Sequence, residues 1–91
     1  MTTEAHIVVR GSVQGVGYRM HAQHHARLMG VNGLVRNLPN GDVEIIAQGE
    51  SEAVERFVAW AGRGPPSGHV EGVTVERREP TAEFHAFDIR L

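Results

Sequence analysis

Strict alternation opens the patterned part of the chain. His6, Val8 and Arg10 alternate with Ile7 and Val9, which predicts a half-buried strand over residues 6–11 with Ile7 and Val9 on the core side. From Arg19 to Met29 the period lengthens: Ala22, Ala26 and Met29 fall at i, i+4 and i+7, and Gly30 is placed to stop the helix. Residues 31–37 and 42–48 read as a second and a third strand, the latter with Val43, Ile45 and Ala47 facing one way. Leu38-Pro39-Asn40-Gly41 supplies turn chemistry between them and makes the pair a hairpin. After Gly49 the acidic start Glu50-Ser51-Glu52 suits a helix N-terminus. Val54, Phe57, Val58 and Ala61 then form an apolar stripe, with Trp60 shielding its edge. Residues 62–68, rich in Gly and Pro, break the helix. Residues 70–79 and 84–91 return to extended patterns, the last with Phe87, Ile89 and Leu91 on one face.

The resulting order is βαββαβ with the final strand split in two. Two right-handed strand-helix-strand crossovers joined by a hairpin predict an α+β ferredoxin-like sandwich, an antiparallel sheet with two helices on one face. In that topology the first and second strands run parallel with the third between them, and their C-terminal ends meet the N-terminus of the first helix. This architecture hosts many functions, so the chemistry must come from particular residues.

The stretch Gly11-Ser12-Val13-Gln14-Gly15-Val16-Gly17-Tyr18-Arg19 lies at the strand-to-helix junction. Closely spaced glycines let the backbone turn tightly and point successive N–H groups inward, and an arginine at the helix entrance adds a positive fork. Such a loop suits a phosphate-sized anion, although glycines of this spacing also serve as a plain flexible connection. The stretch matches neither the P-loop nor the dinucleotide fingerprint. A second residue is expected at the same place. A helix of about eleven residues travels roughly 16 Å from the loop, and a strand of about six residues returns roughly 20 Å. Asn37 therefore comes back to the edge that holds Arg19, either as a hairpin-closing turn residue or as a participant in chemistry.

With 91 residues the chain is expected to form one domain, residues 1–91, with a shallow site rather than an interdomain cleft. It contains no cysteine, which excludes disulfides, thiol nucleophiles and thiolate metal sites. The N-terminal residues lack the basic and apolar blocks of a signal peptide, and no stretch is long enough to span a membrane, so a cytoplasmic protein is expected. All nine of its Lys and Arg side chains are arginine, yet the formal net charge is −2, which argues against a general nucleic-acid binder.

The glycine-rich stretch 11–19 resembles the first acylphosphatase signature. The run Gly33-Leu34-Val35-Arg36-Asn37-Leu38-Pro39-Asn40-Gly41-Asp42-Val43, ending at Gly49, resembles the second. Length, element order and the closing Asp88-Ile89-Arg90-Leu91 strand are also similar to that family. One departure is Leu34, where the family usually has an aromatic residue. The resemblance implies metal-independent hydrolysis of the carboxyl-phosphate bond of acyl phosphates, giving a carboxylate and inorganic phosphate, with no cofactor. It also implies that Arg19 and the backbone N–H groups of Gly15, Val16, Gly17, Tyr18 and Arg19 hold the phosphoryl oxygens, and that Asn37 orients the attacking water. Acylphosphatase-like domains also occur attached to hydrogenase maturation factors; a chain of this length is expected to be a stand-alone enzyme and a monomer.

Other candidates are weaker. His21, His24 and His25 share a helical face but lack a carboxylate or cysteine to complete a metal set, so they are expected on a polar outer surface. Glu50, Glu52 and Glu55 sit where acidic residues meet a helix dipole favourably. Tyr18 serves either as a stacking surface or as a buried aromatic, and Gln14 as a loop-shaping side chain. Ser12, Ser51 and Ser67 have no serine-nucleophile context. An RNA-binding sheet needs aromatics in a basic motif, which Tyr18, Phe57, Trp60, Phe84 and Phe87 do not form. A phosphate-binding domain without turnover is the remaining alternative. A shallow pocket that grips mainly the phosphoryl group is expected to tolerate varied acyl portions.

Overall fold

Seven elements follow one another in the computed structural model, which describes residues 1–91: β1 (Thr2–Ser12), α1 (Tyr18–Met29), β2 (Asn32–Asn37), β3 (Val43–Glu50), α2 (Ser51–Arg63), β4 (His69–Arg78) and β5 (Phe87–Arg90). They build one five-stranded sheet in the order β4-β1-β3-β2-β5. The pairs β1–β3, β1–β4 and β2–β3 are antiparallel, as the ferredoxin-like reading requires. The final piece, β5, pairs parallel to β2 along Gly33–Arg36, so the sheet is mixed at that edge. After β4 the chain crosses to the far edge of the sheet and arrives there running in the direction of β2.

Alternation decides which face is covered. Ala5, Ile7 and Val9 of β1, Val35 of β2 and Val43, Ile45 and Ala47 of β3 are fully buried against Tyr18, Ala22 and Ala26 of α1 and Val54, Phe57, Trp60 and Ala61 of α2. Burying an aromatic such as Phe57 contributes about 1.5–3 kcal/mol from the area removed from water alone. Trp60 lies deeper than the edge position expected of it. It packs against Tyr18 and Phe57 at centroid distances of 5.3 and 5.7 Å and stacks on His25 at 4.7 Å. α1 ends at Gly30, whose left-handed conformation lets Val31 N–H reach the Ala26 carbonyl at 2.8 Å. No helix is long and apolar enough to cross a membrane.

β1 begins at Thr2 rather than at His6, because Thr2 and Thr3 carry no apolar signal to extend the alternation of Ile7 and Val9. Glu4, on the opposite face, is fully buried although charged. On the sheet face away from the helices, its carboxylate accepts hydrogen bonds from Arg78 Nε (2.7 Å), Thr81 Oγ1 (2.8 Å), Thr81 N–H (3.3 Å) and Gln48 Nε2 (3.2 Å). Gln48 also accepts from Phe84 N–H at 3.2 Å, and Asn32 Nδ2 donates to the Phe84 carbonyl at 3.0 Å. Together these bonds fasten the β4–β5 connection onto the sheet. Desolvation pushes the Glu4 carboxyl upward, but the bonds from Arg78, Thr81 and Gln48 outweigh it and hold its pKa below the ordinary 4.5. A carboxylate whose pKa is lower in the folded state stabilises the fold fully above its unfolded-state value and loses that contribution as pH falls through the folded-state value. Glu4→Gln is therefore expected to be less stable at pH 7 and to lose less stability between about pH 5 and 3. Urea midpoints measured across that range test this. Parallel loss in parent and variant would assign the acid transition elsewhere.

Candidate active site

Gly15 and Gly17 adopt φ of 76° and 78°, the left-handed region that L side chains rarely enter. Space is not the reason for glycine here. A Cβ on Gly15 would meet no heavy atom within 4 Å, and one on Gly17 would meet only His21 Cδ2 at 3.6 Å. The requirement is conformational, and it shapes the loop so that the main-chain N–H groups of residues 15–20 are left without main-chain acceptors. At the head of α1 the first such bond runs from His21 N–H to the Gly17 carbonyl at 3.0 Å. Gly17 caps α1 with no side-chain hydrogen bond, and the first turn contains no acidic residue. The positive end of the helix is thus open toward the loop. Gly17→Ala is expected to destabilise the protein by about 1–2 kcal/mol and to weaken inhibition by inorganic phosphate. Urea denaturation and a phosphate inhibition series measure the two effects.

Side chains from neighbouring segments fix this loop. Gln14 Nε2 donates to the carbonyls of Leu38 and Asp42, both at 2.8 Å, and so ties the loop to the β2–β3 hairpin just beyond Asn37. Ser67 Oγ donates to the Val16 carbonyl at 2.9 Å from the other side. The Tyr18 side chain is buried and donates its hydroxyl to the Ala61 carbonyl at 2.8 Å, so only its main chain can serve a ligand in the cleft. Of the two readings of Tyr18, the buried aromatic is the one observed.

Arg19 and Asn37 line one cleft of about 330 Å³, together with Val13, Gly15, Gly17, Tyr18, Met20, Ile89 and Leu91. Val16 stands outside this lining, its side chain packed on the core. The return of β2 to the loop edge brings Asn37 to the cleft that Arg19 lines, as the strand and helix lengths predict. Arg19 Nη1 donates to the Arg90 carbonyl of β5 at 3.4 Å, which holds the guanidinium at the cleft. The Asn37 Oδ1 atom is buried and has no hydrogen-bond partner in the protein. A buried carboxamide oxygen without a donor is unfavourable by about 1–3 kcal/mol, so its persistence beside an anion-shaped loop marks a place for an incoming donor.

The family model described as Acylphosphatase matches residues 5–89. A curated acylphosphatase of Anaeromyxobacter dehalogenans is 49% identical over 87 residues, covering 96% of this chain and 94% of the relative. This chain belongs to the acylphosphatase family. The crystal structure of the acylphosphatase from Bacillus subtilis superimposes with a TM-score of 0.94 at 34% identity, covering 98% of this chain and 99% of that one. An acylphosphatase structure from Coxiella burnetii gives 0.92, also at 34% identity, with 98% and 93% covered.

The acylphosphatase assignment makes the chain a hydrolase and leaves the competing clusters to structural roles. Glu55 forms a two-pronged ion pair with Arg77 at 2.6 and 2.7 Å, and Glu50 meets the N-terminal amine at 2.6 Å. Neither lines the cleft. His25 lies against Trp60; burial, aided by His24, His21 and Arg63, lowers its pKa. Leu34, at the position where an aromatic is usual, is buried on the sheet face away from the helices beside Ile46, remote from the Asn37 carboxamide. Sequence reasoning missed the Arg90 carbonyl and the cleft-lining roles of Met20 and Ile89. Every residue carries a carbonyl, and Ile89 has the signature of any core strand.

Proposed function

We propose that this acylphosphatase hydrolyses the carboxyl-phosphate bond of small acyl phosphates by direct attack of water on phosphorus, without a metal. The observation that carries the proposal is the unpartnered, buried Asn37 Oδ1 in the same cleft as Arg19 and the glycine loop. Arg19 and the N–H groups of Gly15 to Arg19, including those of Val16 and Tyr18, hold the phosphoryl oxygens. The Asn37 carboxamide oxygen accepts a hydrogen bond from water and aims its lone pair in line with phosphorus.

Few groups suffice for this chemistry. A carboxylate leaves as a weak base and needs no general acid, and a loose phosphoryl-transfer transition state asks little covalent help of its nucleophile. Positioning and charge stabilisation remain, and preorganised donors supply both. The guanidinium and helix-end amides fill the charge-neutralising role that a metal ion plays elsewhere. The proton released by water passes to a phosphate oxygen or to solvent. We place the enzyme in the cytoplasm, and the small cleft supports small-molecule substrates, with inorganic phosphate as product ligand and neither nucleic acid nor membrane as partner. We expect a monomer formed by one domain, residues 1–91.

Hydrolysis of benzoyl phosphate in ¹⁸O-labelled water tests the reading. The label is expected in inorganic phosphate, at a rate unchanged by a chelator. Label in the carboxylate would place the attack at carbon. Phosphate binding without turnover would make the chain a phosphate-binding domain.

A further inference from the structure

The turn between α2 and β4 touches the glycine loop without lining the cleft. Residues 65–68 close on themselves through the Gly68 N–H bond to the Pro65 carbonyl at 3.0 Å, with Pro66 at the second position, where its preset φ suits the bend. Ser67 follows, exposed to solvent, and its Oγ donates to the Val16 carbonyl at 2.9 Å. Gly68 permits the close approach: a Cβ there would stand 3.2 Å from Val16 Cγ2 and 3.3 Å from the Ser12 carbonyl oxygen. Val16 is thus held twice, its side chain by the core and its carbonyl by Ser67. The held carbonyl decides where a neighbouring donor points. Every peptide bond of the chain is trans, and in a trans peptide the carbonyl and the next N–H share one plane and point opposite ways. The Gly17 N–H therefore points away from Ser67. It has no main-chain acceptor, and Gly17 lines the cleft while Val16 and Ser67 do not. The residue that lets the loop turn also leaves this plane free to rotate: glycine takes φ of either sign, so turning the Val16–Gly17 peptide over meets little resistance at Gly17, whose φ is 78°.

We infer that Ser67 is a positioning residue for the anion cradle, locking the Val16–Gly17 peptide with its N–H turned toward the phosphoryl group. The inference rests on the reading of the glycine loop as the phosphoryl site, and it adds a side chain 51 positions away in sequence to the parts that shape that site. Ser67 touches neither the substrate nor the attacking water. It acts through the share of molecules whose loop is ready to bind. When only a fraction of the protein carries the competent loop, apparent affinity falls by that fraction, whereas ligand already bound holds the loop in the competent form. Loss of the hydroxyl therefore raises KM and the dissociation constant of phosphate together, and shows much less in kcat.

The test measures KM for benzoyl phosphate and, by calorimetry, Kd for inorganic phosphate in the parent, Ser67→Ala and Ser67→Thr. Ser67→Ala is expected to raise both constants by about three- to tenfold, the span that one hydrogen bond's net contribution covers. Ser67→Thr keeps the hydroxyl and is expected to recover the parent values. Ser67 is exposed and the bond that closes its turn is main-chain, so both variants fold with little change in Tm. In ¹⁵N-resolved spectra of the parent, the Gly17 amide proton is expected to move downfield as phosphate is added. Unchanged KM and Kd in Ser67→Ala, with benzoyl phosphate hydrolysed by the parent, would overturn the positioning role and leave the hydrolysis intact. A fall in Tm that leaves both constants alone would overturn it too, as would a Gly17 amide that stays still while phosphate moves its neighbours. Weaker phosphate binding in Ser67→Ala, recovered in Ser67→Thr, upholds the positioning role even where the parent turns over no acyl phosphate, the result that would overturn the hydrolysis.

Discussion

Replacing Arg19 with alanine is expected to lower kcat for acyl phosphate hydrolysis by about 10²–10³-fold, roughly 2.7–4 kcal/mol of transition-state stabilisation, with little change in Tm. The asymmetry follows from the surroundings of the side chain. Its one side-chain hydrogen bond is the 3.4 Å contact with the Arg90 carbonyl, and the group is only half-buried, so its removal strands no buried charge. What disappears is the fork of parallel donors that follows the equatorial oxygens as charge redistributes. Arg19→Lys keeps the charge but presents a single ammonium at a different reach, and it is expected to recover only part of the loss. Steady-state kinetics with benzoyl phosphate, read beside thermal melts, measures both quantities. Activity within about tenfold of the parent, roughly 1.4 kcal/mol, would remove Arg19 from the phosphoryl site.

Asn37→Ala separates function from stability in the opposite direction. Loss of the oxygen that orients water is expected to reduce kcat by about 10²-fold or more. The same change deletes a buried acceptor that has no protein partner, so the variant is expected to be as stable as the parent or slightly more stable, by up to about 1 kcal/mol. A residue that only closed the hairpin would behave otherwise: its replacement would lower stability and leave turnover largely intact. Urea denaturation and kcat measured on one preparation distinguish the two. Binding of inorganic phosphate is expected to survive in Asn37→Ala and to weaken in Arg19→Ala, because of these two side chains only the guanidinium grips the anion.

The parts of the fold that could be read in advance were those in which one physical signal dominates. Alternation in Ile7–Val9 and Val43–Ala47, helical spacing in Ala22–Ala26 and Val54–Ala61, and turn chemistry at Pro39–Gly41 each follow from local geometry. The structure keeps all of them. The start of β1 was hidden because Thr2 and Thr3 carry no apolar signal, and the burial of the Glu4 carboxylate under a connection formed by residues about 75 positions away obeys no local rule. The parallel pairing of β5 was hidden for a similar reason, since strand direction depends on how the chain crosses the sheet and not on the strand's own residues.

Within the cleft, the convergence of Arg19 and Asn37 was legible because element lengths alone bring β2 back to the loop. The unpartnered state of Asn37 Oδ1 was not. It depends on which neighbours fail to donate, and a sequence carries no record of that. Gln14 was legible only as a loop-shaping side chain; its two carbonyl acceptors belong to the hairpin on the far side of the cleft.

The mooring of Arg19 on the Arg90 carbonyl bears on biosynthesis. A nascent chain that has emerged only as far as β3 already carries the glycine loop, the guanidinium and the carboxamide, yet the strand that steadies the guanidinium is still inside the ribosome. The steadied position of the guanidinium is therefore acquired late, only once β5 has emerged and paired with β2.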